Sequence, residues 1–476
     1  MLDTKKDVLE VISEEEIRPF GMRDKIGYML GDFGNDFTFI FASVFLMVFY
    51  TKVLGVSTSM VGILFLVSRF IDAFTDVAMG RITDRASTSK NGKFRPWILR
   101  MAGPVALASF LMYQSSMANA SMNVKIIYMF VTYILWGSIF YTSINIPYGT
   151  MASVISSDAD DRAALSTFRS VGAALASLVI GVGAPLLLYT TDAAGNEIVE
   201  GGRFTAIAGV FSLLAFISYF FCYFMTKERV KIVADKNVTQ PKLAQSLKTL
   251  MKNRALIGII LAALLVLLAA LLTQSLNQFL FVDYFKSKTA LSVMSLVGIL
   301  PMIVLAPFAV PITRRFGKKE VGVVGCLMGG ASSLLLFFLQ TESVVLYIIV
   351  NVIGFLGFGV FNLIIWAFIT DVIDDQEVAT GVREDGTIYA IYSFSRKIGQ
   401  ALAGGLGGFA LSIIGYDSTV QIQSQNVADG IYNISTLIPG ILYIGVALCL
   451  LFIYPLSKNK VEANILELKV RRDSIV

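Results

Sequence analysis

Histidine does not occur in the 476 residues, cysteine occurs three times, and charged residues make up only 15% of the chain, against roughly 25% in an ordinary soluble protein. Without histidine, the usual zinc ligand and the usual proton shuttle near neutral pH are missing, so proton chemistry falls to carboxylates, Lys or Tyr. Cys222, Cys326 and Cys449 each lie in a strongly apolar stretch with no paired spacing, which points to neither a disulfide framework nor a metal site. What stands in place of charge is apolar surface: 55% of the residues are hydrophobic and the mean hydropathy is +0.71. Such a chain must lie mostly in the bilayer core. Each crossing needs about 20 apolar residues, so this length accommodates about twelve helices and leaves no room for a large soluble domain. Nucleic-acid binding is excluded with it, because a net charge of +5 in a membrane protein records which side the loops face. The polar first 25 residues, with Glu14, Glu15 and Glu16 in a row, do not read as a cleavable signal, so the first membrane helix is expected to direct insertion.

Long apolar runs predict spans near 26–50, 59–80, 96–118, 124–149, 165–190 and 205–225, then near 255–282, 291–312, 320–340, 344–370, 388–413 and 432–455. The expected division is an N-terminal segment (1–25), a six-helix bundle (26–225), a basic middle linker (226–254), a second six-helix bundle (255–455) and a tail (456–476). Cations collect after span 2 (Arg81, Arg85, Lys90, Lys93, Arg95) and after span 8 (Arg314, Arg315, Lys318, Lys319). Both termini and the linker are therefore expected to be cytoplasmic. Asn91-Gly92-Lys93-Phe94-Arg95 and Arg315-Phe316-Gly317-Lys318-Lys319 occupy corresponding positions of the two halves. That weak repeat fits a transporter of two similar six-helix halves with a site at their interface near the midplane.

Ionisable residues inside apolar spans carry the most information, because each costs several kcal/mol unless paired, neutralised or lining water. In Ser68-Arg69-Phe70-Ile71-Asp72-Ala73-Phe74-Thr75-Asp76 the helical period puts Arg69, Asp72 and Asp76 on one face, with the carboxylates one turn apart. Such a pair persists with a small cation between its members or with one member protonated; sodium and a proton both serve. A purely structural Arg–Asp lock is the plainer alternative. Span 1 carries Gly31-Asp32-Phe33-Gly34-Asn35-Asp36-Phe37, in which Asp36 is a candidate acceptor for sugar hydroxyls or a partner for a neighbouring cation. Span 4 ends in Tyr141-Thr142-Ser143-Ile144-Asn145-Ile146-Pro147-Tyr148-Gly149-Thr150, a polar segment that Pro147 is expected to break, as happens beside a cavity. Tyr141 and Asn145, one turn apart, should face that cavity. Span 5 adds Arg169, and span 11 adds Ser393-Phe394-Ser395-Arg396-Lys397-Ile398-Gly399-Gln400. Arg169 and Lys397 would meet a carboxylate on the ligand, Arg169 through a fork and Lys397 as a point charge. On the cytoplasmic side Arg85, Lys93, Arg314 and Lys318 are expected to pair with acids such as Asp374 and Glu377 as a gate between two states.

From about Gly27 to about Pro455 the chain resembles the glycoside-pentoside-hexuronide:cation symporters of the major facilitator superfamily. The resemblance rests on Gly31 to Phe37, Arg69 to Trp97, Asn145-Ile146-Pro147-Tyr148-Gly149, Asp371 to Gly386, and Ser395 to Gln400. It implies an all-α membrane protein of twelve transmembrane helices in the major facilitator fold, two pseudo-symmetric six-helix halves. In the melibiose-permease branch, the cation is held by acids matching Asp72 and Asp76 and by a threonine matching Thr142. The sugar is held there by residues matching Asp36, Arg169, Ser393 and Lys397. Departures are Thr75 for an asparagine between the two acids, Asn145 for the acid that binds galactosides, and Gly149 for the aromatic that stacks on the sugar. Asn-Ile-Pro-Tyr-Gly is similar instead to the glucuronide and pentoside transporters of the family.

The resulting expectation is a secondary active transporter in the cell membrane, not an enzyme, that couples Na+ or H+ flow to symport of a glycoside, pentoside or hexuronide, with a β-glucuronide or xyloside favoured. Transport of a lipid or other amphiphile by the same fold is the alternative. No cofactor and no metal beyond a possible Na+ are expected. The expected partners are the sugar and the bilayer, with no nucleic acid, and the expected working unit is a monomer.

Overall fold

The computed structural model describes residues 18–230 and 253–473, apart from 87, 88, 90, 157 and 382–384. The side chains of Arg85, Ser393 and Lys397 also lie outside the described residues. The first half consists of α1 (Met22–Val48), α2 (Thr58–Arg85), α3 (Arg95–Leu111), α4 (Met122–Ile155), α5 (Ala159–Leu178) and α6 (Gly201–Met225). The second half consists of α7 (Arg254–Phe279), α8 (Lys288–Phe316), α9 (Lys318–Leu339), α10 (Val344–Thr380), α11 (Asp385–Ile413) and α12 (Gln425–Leu448). Among the described residues, eight helical stretches are long and apolar enough to cross a membrane. The α2 helix is less apolar because of Arg69, Asp72, Asp76 and the cations at its end, and α3 is only 17 residues long. The tail holds a further helix, α13 (Lys458–Asp473), fastened to α10 where Asn464 Nδ2 donates to Asp375 Oδ1 at 2.9 Å.

Span 4 differs from the sequence expectation. Pro147 sits within continuous helix over Thr142–Ile155, and the irregularity is a π-helical turn upstream, Leu135–Tyr141. A proline removes one helical N–H and crowds the carbonyl four residues before it; for Pro147 that carbonyl belongs to Ser143, which lies beyond the π-helical turn. Hydroxyls lie against the carbonyls of the distorted stretch: Ser143 Oγ donates to Ile139 O (2.6 Å), and Thr142 Oγ1 stands 3.2 Å from Gly137 O. The first helix of each half also ends in a π-helical turn, Phe49–Val53 after α1 and Leu280–Tyr284 after α7.

At one end of the bundle a short hairpin, β1 (Tyr189–Thr191) and β2 (Glu197–Val199), joins α5 to α6. Its turn is pinned by Asp192, which accepts from the amides of Ala194 and Asn196; hydrogen bonds from Asn196 first of all hold this exposed carboxyl below its usual range. The two halves meet at this hairpin end. One continuous apolar cluster there runs from Phe41 and Phe45 to Phe279, Leu411 and Ile431, whereas Phe361, Phe368, Val372 and Tyr454 form a separate cluster in the second half. The α2 and α11 helices touch through glycine: a Cβ on Gly62 would lie 2.9 Å from Gly405 O, so neither backbone tolerates a side chain between them.

At the opposite end, where the middle linker leaves, Glu228 organises the loop before α3. Its carboxylate accepts from the backbone N–H groups of Lys93 (2.7 Å), Phe94 (2.8 Å) and Arg95 (2.7 Å). This places a negative charge at a helix N-terminus, where free N–H groups favour it. Gly92 permits the approach with φ at +102° and no side chain; a Cβ would lie 2.6 Å from the Glu228 carboxyl carbon. Glu228→Ala strands three donors and is expected to destabilise the first half by about 1–3 kcal/mol, read as earlier thermal unfolding of the purified protein. An unchanged melting temperature would mean that water replaces the carboxylate without loss.

Candidate functional site

The α2 and α4 helices lie side by side. Asp72 and Asp76 are one turn apart on α2, Ser138 and Thr142 are one turn apart on α4, and the two steps fall in register. Ser138 Oγ donates to Asp72 Oδ1 (2.5 Å), and Thr142 Oγ1 donates to Asp76 Oδ1 (3.0 Å). Arg69 Nη1 donates to the other oxygen of Asp72 at 3.1 Å. Asp72 is thus held between Arg69 and Ser138, while Asp76 takes the hydroxyl of Thr142, which gathers carboxylate and hydroxyl oxygens along one seam. Thr75 stands beside the seam with its hydroxyl turned back onto Ile71 O and Asp72 O (both 3.2 Å). Among the described residues no group of three or more His, Cys, Asp or Glu is placed to hold a metal ion. A sodium ion would depend on the two carboxylates together with the hydroxyl oxygens.

A second polar cluster lies on α1, α4 and α5. Arg169 Nε donates to Asp32 Oδ1 at 2.9 Å, and the Arg169 guanidinium lies 5.4 Å from the centre of the Tyr148 ring. Tyr148 is itself fixed: its ring stacks on Tyr28 at 4.6 Å, and its hydroxyl donates to Tyr28 O at 2.7 Å. One turn after Asp32, Asp36 makes no hydrogen bond or ion pair among the described residues, although the charges of Asp32 and Arg169 act on it. Asn145 is tied to α1, where Asn35 Nδ2 donates to its Oδ1 at 3.4 Å and Tyr219 donates to Asn35 Oδ1 at 2.9 Å. Gly149 is exposed with nothing within 4 Å of where a Cβ would be, so the floor beside Tyr148 is open.

Tyr141 stands between the two clusters, within electrostatic reach of Asp36, Asp32, Arg169 and Arg69. Its ring stacks on Phe39 (5.7 Å), and the Arg69 guanidinium lies 5.7 Å from the same Phe39 ring. A cavity of about 50 Å³ opens beside Arg69 between the two halves, lined by Phe39, Ser43 and Tyr133 from the first and by Ser275 and Gln400 from the second. Asp36 and Tyr141 lie within electrostatic reach of Asp32 and Arg169, and Asn145 is tied to Asn35 of the same α1 helix. Ser393 and Lys397, expected from the second half, lie outside the described side chains.

The cations expected at the gate are placed as follows. Lys318 pairs with Asp371 (2.6 Å), one turn before Asp374 and within the second half. Arg314 is exposed beside it. The Lys93 ammonium lies 5.6 Å from the centre of the Phe94 ring while its backbone is held by Glu228. Glu377 stands at the end of α10, where its carbonyl accepts from Arg471 of α13 at 3.4 Å. The described polar links between the halves lie instead at the hairpin end. There Lys52 Nζ and Asp283 Oδ1 are 2.5 Å apart with side chains only 1% and 3% exposed. Lys52 Nζ also donates to Gln421 O, and Gln421 Nε2 returns a bond to Lys52 O. Lys288 at the start of α8 adds a bridge to Glu197 of the hairpin at 3.6 Å.

Sequence reasoning passed over Asp32, Ser138, Lys52 and Asp283. The signal for Asp32 was present, since it stands four residues before Asp36 as Asp72 does before Asp76. Ser138 bears the same spacing to Thr142. Lys52 and Asp283 hold the same fourth position of the two equivalent π-helical turns, a symmetry that only the structure reveals.

Residues 27–458 match the family described as MFS/sugar transport protein. A glucuronide carrier protein homolog of Escherichia coli (strain K12) is 32% identical over 455 residues, covering 94% of this chain and 96% of that protein. A protein of the same organism named, provisionally, as a glycoside/cation symporter is 32% identical over 443 residues, covering 93% and 94%. The solved inward-open xylose transporter XylE of E. coli shares the fold at a TM-score of 0.60 and 12% identity, covering 93% of this chain and 98% of that one. The chain belongs to the MFS/sugar transport protein family: it is a multi-span membrane transporter of the major facilitator fold, not an enzyme.

Proposed function

We propose that this transporter is a cation-coupled symporter that carries a glycoside, pentoside or hexuronide, with a β-glucuronide or xyloside favoured, by alternating access. The observation that carries the reading is the division of labour around Tyr141. On one side lies an acidic seam of carboxylate and hydroxyl oxygens, formed by Asp72 and Asp76 with Arg69, Ser138 and Thr142. On the other lies the polar chemistry of carboxylate, amide and guanidinium in Asp36, Asn145 and Arg169, which suits hydroxyls and an anionic group. Na+ or H+ is taken up by the two carboxylates of the seam, and Phe39, stacked on Tyr141 and facing Arg69, lies between the seam and the sugar residues. The distribution of Lys and Arg supports a cytoplasmic linker end with both termini on that side. Lys93, Arg314 and Lys318, with Asp374 and Glu377, then line the cytoplasmic mouth.

The favoured substrate is supported by Asn145, which stands where galactoside carriers of the family have an acid, and by the similarity to a protein named as a glucuronide carrier homolog. Asn145→Asp keeps the acceptor for Asn35 and adds a negative charge. Affinity for an aryl glucuronide is expected to fall by about tenfold, equivalent to ~1.4 kcal/mol, while a neutral aryl glucoside, whose hydroxyls donate to the new carboxylate, should change by less than about threefold. Competition binding on the purified variant reads both values. Equal loss for the two ligands would assign Asn145 to helix packing and withdraw the preference for an acidic sugar.

A further inference from the structure

The Arg169 side chain is 42% exposed, yet it is held on two sides. Its Nε donates to Asp32, whose side chain is only 9% exposed, and its face lies over the ring of Tyr148, which is locked to Tyr28. Neither Nη group has a hydrogen-bond partner among the described residues, and the open floor at Gly149 lies beside Tyr148. An arginine that only neutralised a buried acid would turn its two-pronged edge toward it, since two parallel N–H···O bonds are stronger than one. Here the contact is made through Nε, and the Nη edge is left uncommitted.

We infer that Asp32 is a positioning residue of the substrate site, holding Arg169 through Nε so that the two Nη groups are left to receive the anionic group of an acidic sugar. The inference rests on the proposed acidic-sugar reading and adds what aims the guanidinium. It separates two carboxylates four residues apart on α1. Asp32 is committed to Arg169, whereas Asp36, with no hydrogen bond of its own, is left for ligand hydroxyls. It also gives Pro147-Tyr148-Gly149 a purpose, with the ring as the second wall of the holder and the glycine as the space above it. A free guanidinium samples many rotamers, and fixing it beforehand lowers the entropy lost on binding. Because the gain falls on the anionic group alone, it appears as discrimination between ligands rather than as affinity for all of them.

The test uses the full-length protein in nanodiscs and two ligands that differ only at C6, 4-nitrophenyl β-D-glucuronide and 4-nitrophenyl β-D-glucoside. Asp32→Ala releases Arg169, so the glucuronide-to-glucoside affinity ratio is expected to fall at least about tenfold with glucoside affinity held within about threefold. Asp32→Asn retains an oxygen acceptor for Nε and removes a repelling charge, so the ratio should be preserved or increased. A merely structural ion pair would behave differently, weakening both ligands together with no rescue by asparagine. Should the alanine variant fail to fold, loss of the preference in Asp32→Asn alone would overturn the role. A wild type that prefers the glucuronide while Asp32→Ala keeps the same ratio also overturns it and leaves the acidic-sugar reading standing. A wild type that binds the two ligands equally, or neither, fails that reading, and the role of Asp32 falls with it.

Discussion

Asp76→Asn is expected to abolish gradient-driven sugar accumulation, lowering the steady-state level at least about tenfold, while sugar binding survives within a few-fold. In this reading the two carboxylates together attract the coupling cation. Asparagine at position 76 keeps an oxygen for Thr142 but deletes one of the two charges that attract the cation, and Asp72 stays paired with Arg69. Sugar contacts on α1 and α5 are untouched, so exchange of sugar down its own gradient should persist. Asp72→Asn is expected to be more damaging. Arg69 would then lie beside a neutral amide with only 22% of its side chain exposed, and an unpaired charge at that depth costs several kcal/mol. Counterflow and uptake on the same proteoliposomes separate coupling from binding. Wild-type accumulation in Asp76→Asn would reduce the acid pair to a helix lock.

The second large effect is expected at the hairpin end. Lys52 and Asp283 come from equivalent positions of the two halves and close the interface on the side where Gly62 and Gly405 bring α2 against α11. Lys52→Met leaves Asp283 charged and buried without its partner, a loss of about 3–5 kcal/mol. Water relieves it, so the variant should favour states open at this end. A cysteine at Ser418, buried in the loop before α12, should react with a membrane-impermeant thiol reagent about ten to a hundred times faster than on the Lys52 background, a conversion that spends only part of that energy. Lys52→Met combined with Asp283→Leu removes both charges and should return the rate close to the original. Equal labelling in single variant and parent would mean that the pair stabilises each half without closing the interface.

The sequence made the membrane helices legible because burial in lipid demands long apolar runs whatever the tertiary arrangement. The acids of α2 were legible for the same reason, since a carboxylate in such a run must be doing something other than packing. Partners that are neutral were harder to see. A serine at position 138 costs little in any helix, and only the register of α4 against α2 turns it into a donor to Asp72. Pro147 misled because the helix continues through it over Thr142–Ile155, and the irregular turn lies upstream, ending before the carbonyl that the proline crowds. Lys52 and Asp283 each resemble an ordinary residue at a helix end, where cations and anions commonly reach water. Their burial exists only once the two halves meet. The hairpin after α5 carries no long alternating pattern, its strands being three residues each.

The central claim is that one cation gradient drives the uphill movement of a sugar. Its most direct test is uptake of a radiolabelled aryl β-glucuronide into proteoliposomes holding the purified protein, with a sodium gradient and a pH gradient imposed separately and then collapsed. The account predicts accumulation above the external concentration under one of the two gradients, collapse of that accumulation with the gradient, and its absence in Asp76→Asn. Uptake that only equilibrates, at the same rate with and without either gradient, would contradict it.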